Sequence, residues 1–272
     1  MNKSLDDFSI AEPIYADGAP RCEGACSPAV ADGAMEWYPP VMVGADSLAA
    51  DLLDDTARNV RDALDLLAIL ERDTYSDYVS EFYRRGLLRY GEHWRYADLL
   101  TATLVTGRWL RPQSYLEVGV RRGRTVCAMA KVAPHCDIAM FDMWIPNYAK
   151  MPNPGPDFVA QELDKVGHKG KREFVDGDSH QTLNAYFQDH PSAFFDVVNV
   201  DGDHSINGAA QDICDVLPRL KIGGVLLFDD VANANVPGLQ EVWARLIEGN
   251  PRFSTVTFNS VGYGVGLAVR KY

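Results

Sequence analysis

The spacing of apolar residues changes character twice along this chain. From Ser47 to Arg72, the residues Leu48, Leu52, Val60, Leu64 and Leu67 recur at helical intervals with acids between them, which predicts an amphipathic helix. A second helical region, aromatic and basic, runs through Tyr78, Phe82, Tyr83, Tyr90, Trp94 and Tyr96 toward Gly107. After Pro112, short apolar runs alternate with helical intervals, the pattern of a parallel sheet with crossover helices. The strands expected are Tyr115–Val118, Ile138–Phe141, Glu173–Val175, Phe195–Val200 and Val225–Phe228. Helices fill the intervals, including Ile206–Leu220 and Leu239–Glu248. The tail breaks the alternation: Ser254–Asn259 and Val265–Arg270 are joined by a tight turn at Gly262–Gly264, which predicts an antiparallel hairpin.

The predicted class is α/β: five parallel strands followed by a C-terminal antiparallel hairpin, with an N-terminal helical cap. Residues 1–46, rich in Ala, Gly, Pro and Asp, show no periodicity and read as an irregular or flexible segment. Residues 47–110 form the cap and 111–272 the main domain.

Composition narrows the partners. The chain of 272 residues carries a net charge of −12, and its first 72 residues hold most of it, with 14 acids against 5 bases. An acidic protein without a basic stripe is poorly suited to nucleic acid or an anionic membrane, so a small molecule is the expected partner. No apolar run approaches the roughly 18–20 residues of a membrane span, and the opening MNKSLDDFSI has no apolar signal region. The 5 cysteines, odd in number and mostly scattered, read as reduced thiols of a cytoplasmic protein. Cys22 and Cys26 have no second Cys/His pair to complete a metal site, and read as incidental thiols in a loose segment.

The candidate chemistry gathers where apolar runs stop on acids. FDVVNVDGDHS ends its run at Asp201, with His204 three residues on, and GGVLLFDDV ends at Asp229 and Asp230. Neighbouring parallel strands share one crevice at their carboxyl ends, where open α/β sheets bind ligands. Three carboxylates there suit a hard divalent cation, and His204 suits a proton acceptor. Asp203 is better placed to cap the helix that begins near Ser205.

YLEVGVRRGRT is a strand, a glycine turn and a helix start. Gly119 and Gly123 permit close backbone approach to a ligand, and Glu117 is placed to accept from a ligand amine. The next strand ends at Asp142, 19 residues after Gly123, where an acid can accept both hydroxyls of a ribose. The nicotinamide fingerprint G-x-G-x-x-G is absent, because Val120 and Arg121 follow Gly119.

Together Glu117, Gly119, Gly123 and Asp142 resemble the first motif and ribose acid of class I S-adenosylmethionine-dependent methyltransferases, over about residues 95–272. That resemblance implies a Rossmann-like methyltransferase sheet and S-adenosyl-L-methionine as cofactor. It also places the loop after the third strand, with Asp178 and Ser179, against the adenine. VDGDHS and FDDV resemble the metal-dependent sugar O-methyltransferases of the macrocin, mycinamicin and novobiocin type. This implies Mg²⁺ or another divalent cation on Asp201, Asp229 and Asp230, and His204 as the base. The implied acceptor is a sugar hydroxyl of a glycosylated natural product or sugar nucleotide, handled by a homo-oligomer. A catechol or other vicinal diol is the alternative acceptor. A non-catalytic partner resembling the cephalosporin hydroxylase-associated proteins is the alternative outside enzymes. The chain departs from its relatives at Arg121 and Arg122, which face solvent or reach an anionic part of the acceptor. Trp144, Tyr148 and Lys150, in the proline-rich loop at 143–157, are candidate sugar contacts.

Overall fold

The apolar runs after Pro112 pair with one another between turns, and the central ones, at 114–118, 195–200 and 220–229, are largely buried on both faces, as a parallel sheet requires. The computed structural model describes residues 13–15, 18–27 and 41–272. Its strands are β1 (Ser114–Val118), β2 (Asp137–Asp142), β3 (Arg172–Asp176), β4 (Phe195–Val200), β5 (Leu220–Asp229), β6 (Phe253–Phe258) and β7 (Val265–Arg270). They form one sheet in the order β3-β2-β1-β4-β5-β7-β6, in which β1 to β5 are parallel and β7 pairs antiparallel with both β5 and β6. The chain reverses direction across the sheet between β1 and β4, so their carboxyl ends open a crevice at a topological switch point. The expected fold, hairpin included, is the observed one.

The helices are α1 (Ala45–Asp54), α2 (Thr56–Ile69), α3 (Thr74–Tyr90), α4 (Leu99–Leu110), α5 (Arg124–Val132), α6 (Pro156–Lys165), α7 (Ser179–Asp189), α8 (Ile206–Val216) and α9 (Gly238–Trp243). Pleating sends alternate strand residues to opposite faces. Tyr115, Ile138, Met140, Val225 and Leu227 pack with α1, α2, α4 and α5. Leu116, Val118, Phe141, Val198 and Leu226 pack with α7, α8 and α9. The helices of 47–110 therefore share a continuous core with the sheet and form one of its layers.

Three local expectations are corrected. The helix predicted from Ser47 to Arg72 is two helices broken at Asp55. There the Thr56 hydroxyl turns back to the Leu52 carbonyl at 2.9 Å, and the Asn59 amide group donates to Asp51 O at 3.0 Å. The helices predicted to Leu220 and Glu248 end earlier as α-helix, passing into a 3₁₀ turn at Leu217–Arg219 and a π-turn at Ala244–Glu248. Cys22 and Cys26 do not lie in a loose segment. Arg21 bridges Ile222, the Cys26 thiol donates to Ile222 O at 3.0 Å, and both cysteines are buried. Most of the irregular region expected over 1–46 lies outside the described residues. Among the described residues no helix is long and apolar enough to cross a membrane.

Candidate active site

The crevice has two halves, and the first is shaped by backbone. After β1 the chain turns at Gly119, with φ +88°, and a Cβ there would run into the Asp201 carbonyl oxygen, so only glycine lets the two strand-end loops touch. The Asp201 amide in turn donates to Val118 O at 2.8 Å. Gly123, with φ +71°, is the N-cap of α5. Beside this turn lies a cavity of about 290 Å³ whose walls include Gly119, Arg121, Asp142, Tyr148, Asp178, Ser179 and Asp201. The predicted donor-site residues Gly119, Asp142, Asp178 and Ser179 thus share one cavity, whose wall does not include Gly123.

Asp142 is already engaged. It accepts from the Arg121 amide at 2.8 Å and the Trp144 amide at 2.6 Å, one on each carboxylate oxygen. Oδ1 also accepts from the Asn153 amide group at 3.4 Å, and Oδ2 keeps acceptor capacity for a ribose hydroxyl. Arg121 Nε and Asn153 Oδ1, on side chains of the same wall, are buried without a hydrogen-bond partner, so the residues present fit a polar ligand. Asp178 caps α7 by accepting from the His180 amide at 3.1 Å, and the Ser179 hydroxyl donates to Asp212 at 2.6 Å. His180 falls in the first turn of α7.

Glu117 is brought elsewhere. Strand alternation puts it on the face opposite Val118, toward α5, where Tyr115 and Thr125 donate to its carboxyl group. It is fully buried and absent from the cavity wall, and burial pushes its pKa up to about 8. Its carboxyl group is held at the base of the turn by these two hydroxyls.

The second half is shaped by charge. Asp201 and Asp229, Asp230 end β4 and β5, which run side by side. His204 Nε2 lies 3.2 Å from Asp201 Oδ1, and its Nδ1 lies 3.7 Å from Asp230 Oδ2. The hydrogen bond to Asp201, the largest cause, raises the His204 pKa above its ordinary value. Burial raises the pKa of Asp201 and, further, that of Asp229, and the neighbouring acids add to both shifts. Asp230, with φ +58°, holds the Asn233 amide group at 2.9 Å. The cap expected of Asp203 falls instead to Ser205, whose hydroxyl accepts from the Gly208 amide at 3.0 Å, while Asp203 accepts from the Ser205 amide at 2.7 Å. Among the described residues no three His, Cys, Asp or Glu side chains stand in an arrangement that holds a metal ion as it is. The donor chemistry suits a hard cation, and the charges of Asp201 and Asp230 add to the raised pKa of Asp229.

Sequence reasoning missed the residues that frame this half. Asp98, the N-cap of α4, accepts from Tyr83 at 2.5 Å and Tyr96 at 2.9 Å, and its charge acts on Asp229. Tyr75, in the first turn of α3, has its phenol pushed up to about 12 by burial and then by Asp229, Asp98 and Asp201. The Asp-x-x-Ser and Asp-x-x-Thr patterns at Asp73 and Asp98 mark helix starts, but nothing local says where those starts point. Asp212, an acid on the apolar face of α8, is fully buried and pushed up to about 6 by that burial. An acid among Ala209, Ala210 and Ile213 is a signal that could have found it.

The departures also resolve. Arg122 is neither solvent-facing nor free for an acceptor: it is buried, 3.3 Å from Asp73. Arg121 lies on the cavity wall, its guanidinium 5.9 Å over the Tyr148 ring. Trp144 is buried near Phe174, so it is a packing residue, whereas Tyr148 is exposed at the cavity mouth.

Residues 116–231 match a protein family described as a methyltransferase domain. Among curated proteins none matches. Solved structures share the fold at low identity. The S-adenosylhomocysteine-bound methyltransferase PaMTH1 of Podospora anserina is 16% identical with a TM-score of 0.52, covering 89% of this chain and 100% of its own. The O-methyltransferase TomG of Streptomyces achromogenes, involved in tomaymycin synthesis and bound to S-adenosylmethionine, is 18% identical with a TM-score of 0.53, covering 75% of this chain and 92% of its own. The calicheamicin methyltransferase CalS11 is 18% identical with a TM-score of 0.50, covering 79% of this chain and 92% of its own. The sheet order and the hairpin are those of a Rossmann-like methyltransferase fold.

Proposed function

We propose that this chain is an S-adenosylmethionine-dependent methyltransferase that methylates the oxygen of a small-molecule hydroxyl, with His204 as proton acceptor. The acceptor class we assign is a sugar hydroxyl of a glycosylated natural product or sugar nucleotide. The observation that carries the reading is the imidazole of His204 set between Asp201 and Asp230 where β4 and β5 end, one loop from the Gly119 turn. The similarity to TomG and CalS11 supports it, the first named an O-methyltransferase and the second a calicheamicin methyltransferase.

A sulfonium donor, when bound, supplies a methyl group that is already activated. The protein's task is then to align an oxygen behind that carbon and to remove the oxygen's proton. His204 would take the proton at one ring nitrogen while a neighbouring carboxylate steadies the imidazolium, as the bond to Asp201 already does. Asp142 would accept the ribose hydroxyls, and Asp178 and Ser179 would line the adenine end. Asp201, Asp229 and Asp230 would hold a divalent cation such as Mg²⁺, which favours ionisation of a coordinated hydroxyl. Support for the cation is the mutual repulsion of these acids in a buried place, which a positive charge would relieve.

The test is formation of S-adenosylhomocysteine from S-adenosylmethionine with a panel of glycosides, sugar nucleotides and catechols, with and without chelator. Transfer to glycosides or sugar nucleotides that chelator abolishes is the expected result. Transfer to catechols alone would move the reading to a vicinal diol. Donor binding without transfer to any acceptor would mark a non-catalytic partner.

A further inference from the structure

One carboxylate fastens the first turn of α3 to the donor turn. Asp73 is the N-cap of α3: its Oδ1 accepts from the Ser76 amide at 2.7 Å, and the Ser76 hydroxyl accepts from the Asp73 amide at 2.8 Å. The same carboxylate receives Arg124 Nη2 at 2.6 and 2.7 Å and lies 3.3 Å from Arg122 Nε. Arg122 and Arg124 stand on either side of Gly123, the left-handed residue that closes the donor turn. The set is shielded, with side-chain exposures of 9% for Asp73, 6% for Arg122 and 17% for Arg124. Shielded charges lose a partner at much greater cost than surface pairs do. Two further contacts hold the connector before α3. The Glu71 amide donates to the buried Glu162 at 2.7 Å, and the Arg122 guanidinium lies 4.3 Å over Phe158.

Tyr75 follows Asp73 by two residues, and the Arg124 guanidinium lies 5.0 Å over its ring. The outer side of α3 is open, with Tyr78 at 67% and Leu88 at 89% exposure. The inner side is buried through Ser76, Ser80 and Tyr83, and the Asp73 clasp adds the charged contacts at the start of the helix.

We propose that Asp73 is a positioning residue that couples the two halves of the crevice. By tying Arg122 and Arg124 of the donor turn to the first turn of α3, it holds Tyr75 as a wall of the acceptor side, and donor occupancy of the turn sets that wall. The inference rests on the donor site proposed above. The alternative is that Asp73 does nothing beyond capping its own helix.

Asp73→Asn separates the two, because Asn caps as well as Asp but cannot balance two guanidinium groups. Arg124→Gln removes the clasp from the other side and leaves the cap untouched. The readouts are amide hydrogen exchange across residues 73–83 with and without S-adenosylhomocysteine, and calorimetric affinity for that ligand. In the unaltered chain the ligand should slow exchange in the first turns of α3. In both variants it should still bind, within about threefold, while the protection disappears. With an acceptor in hand, acceptor KM should rise about tenfold with kcat little changed. Persistence of the protection in Arg124→Gln overturns the coupling, and that variant decides should Asp73→Asn fail to fold. Binding without protection in the unaltered chain overturns the coupling alone. Absence of binding overturns the donor site and the coupling with it.

Discussion

The donor half and the acceptor half of this crevice are a few ångströms apart and are made differently. The donor half is geometry: a glycine pressed against the Asp201 carbonyl, a left-handed Gly123, an Asp142 carboxylate that already has two backbone amides, and a capped helix. Asp142, Asp178 and Ser179 have partners without a ligand, whereas Arg121 Nε and Asn153 Oδ1 have none. The acceptor half is charge: two acids, Asp201 and Asp229, pushed up by burial and by nearby acids, and a histidine pushed up by the acid it touches. Its groups are in conflict until something positive or proton-bearing arrives. The first half stays folded on its own account, whereas the second carries a standing electrostatic cost, as functional sites often do.

That contrast can be broken most decisively at His204. His204→Ala should lower kcat by about 10²–10⁴-fold, the usual worth of a positioned base, while calorimetry shows donor affinity nearly unchanged. A comparable loss of donor binding would mean that the halves are not separable. Gly119→Ala should strike the other half: at φ +88° and against the Asp201 carbonyl, the added Cβ should cost about 1–3 kcal/mol or more in denaturant unfolding and weaken donor binding.

Asp229→Asn sharpens the comparison, because function and stability should move in opposite directions. Activity should fall together with any dependence on divalent cations, since one of three proposed donors is gone. Stability at neutral pH should rise by about 1 kcal/mol, since a buried acid that resists ionisation is removed. Loss of activity with loss of stability would point to a plain folding defect.

The smallest effect is expected at Glu117. Its folded-state pKa, about 8, lies above its ordinary value of 4.5, so the folded protein binds the extra proton between those values. Its contribution is fully present below pH 4.5 and is lost as the pH rises through about 8. Glu117→Gln mimics the protonated form and should flatten that part of the stability curve, as thermal melts across the range would show. An unchanged slope would assign it to other groups.

Much of the fold was legible because its signals are local. Each of the seven strands was expected within a few residues, since short apolar runs between turn residues have little choice. The break at Asp55 was not legible: Leu52 and Val60 keep a helical rhythm across it, and only the side chains of Thr56 and Asn59 cut the helix. In the site, acids at strand ends were readable because the carboxyl edge of a parallel sheet is a fixed place. Glu117 was legible as an acid near a strand end, but its partners Tyr115 and Thr125 were not, because they depend on the pleat and on how α5 packs.

The sequence by itself therefore determined the sheet, its hairpin ending, the glycine turn and the stations of Asp142, Asp201, Asp229 and Asp230, all of which follow from period, turn chemistry and strand ends. Tertiary structure alone decided what faces those stations. Asp73, Tyr75 and Asp98 come from helices far upstream in the chain, and their approach to β4, β5 and α5 is set by how helices pack on a twisted sheet. Packing direction is a property of whole surfaces, and no local pattern of residues encodes it.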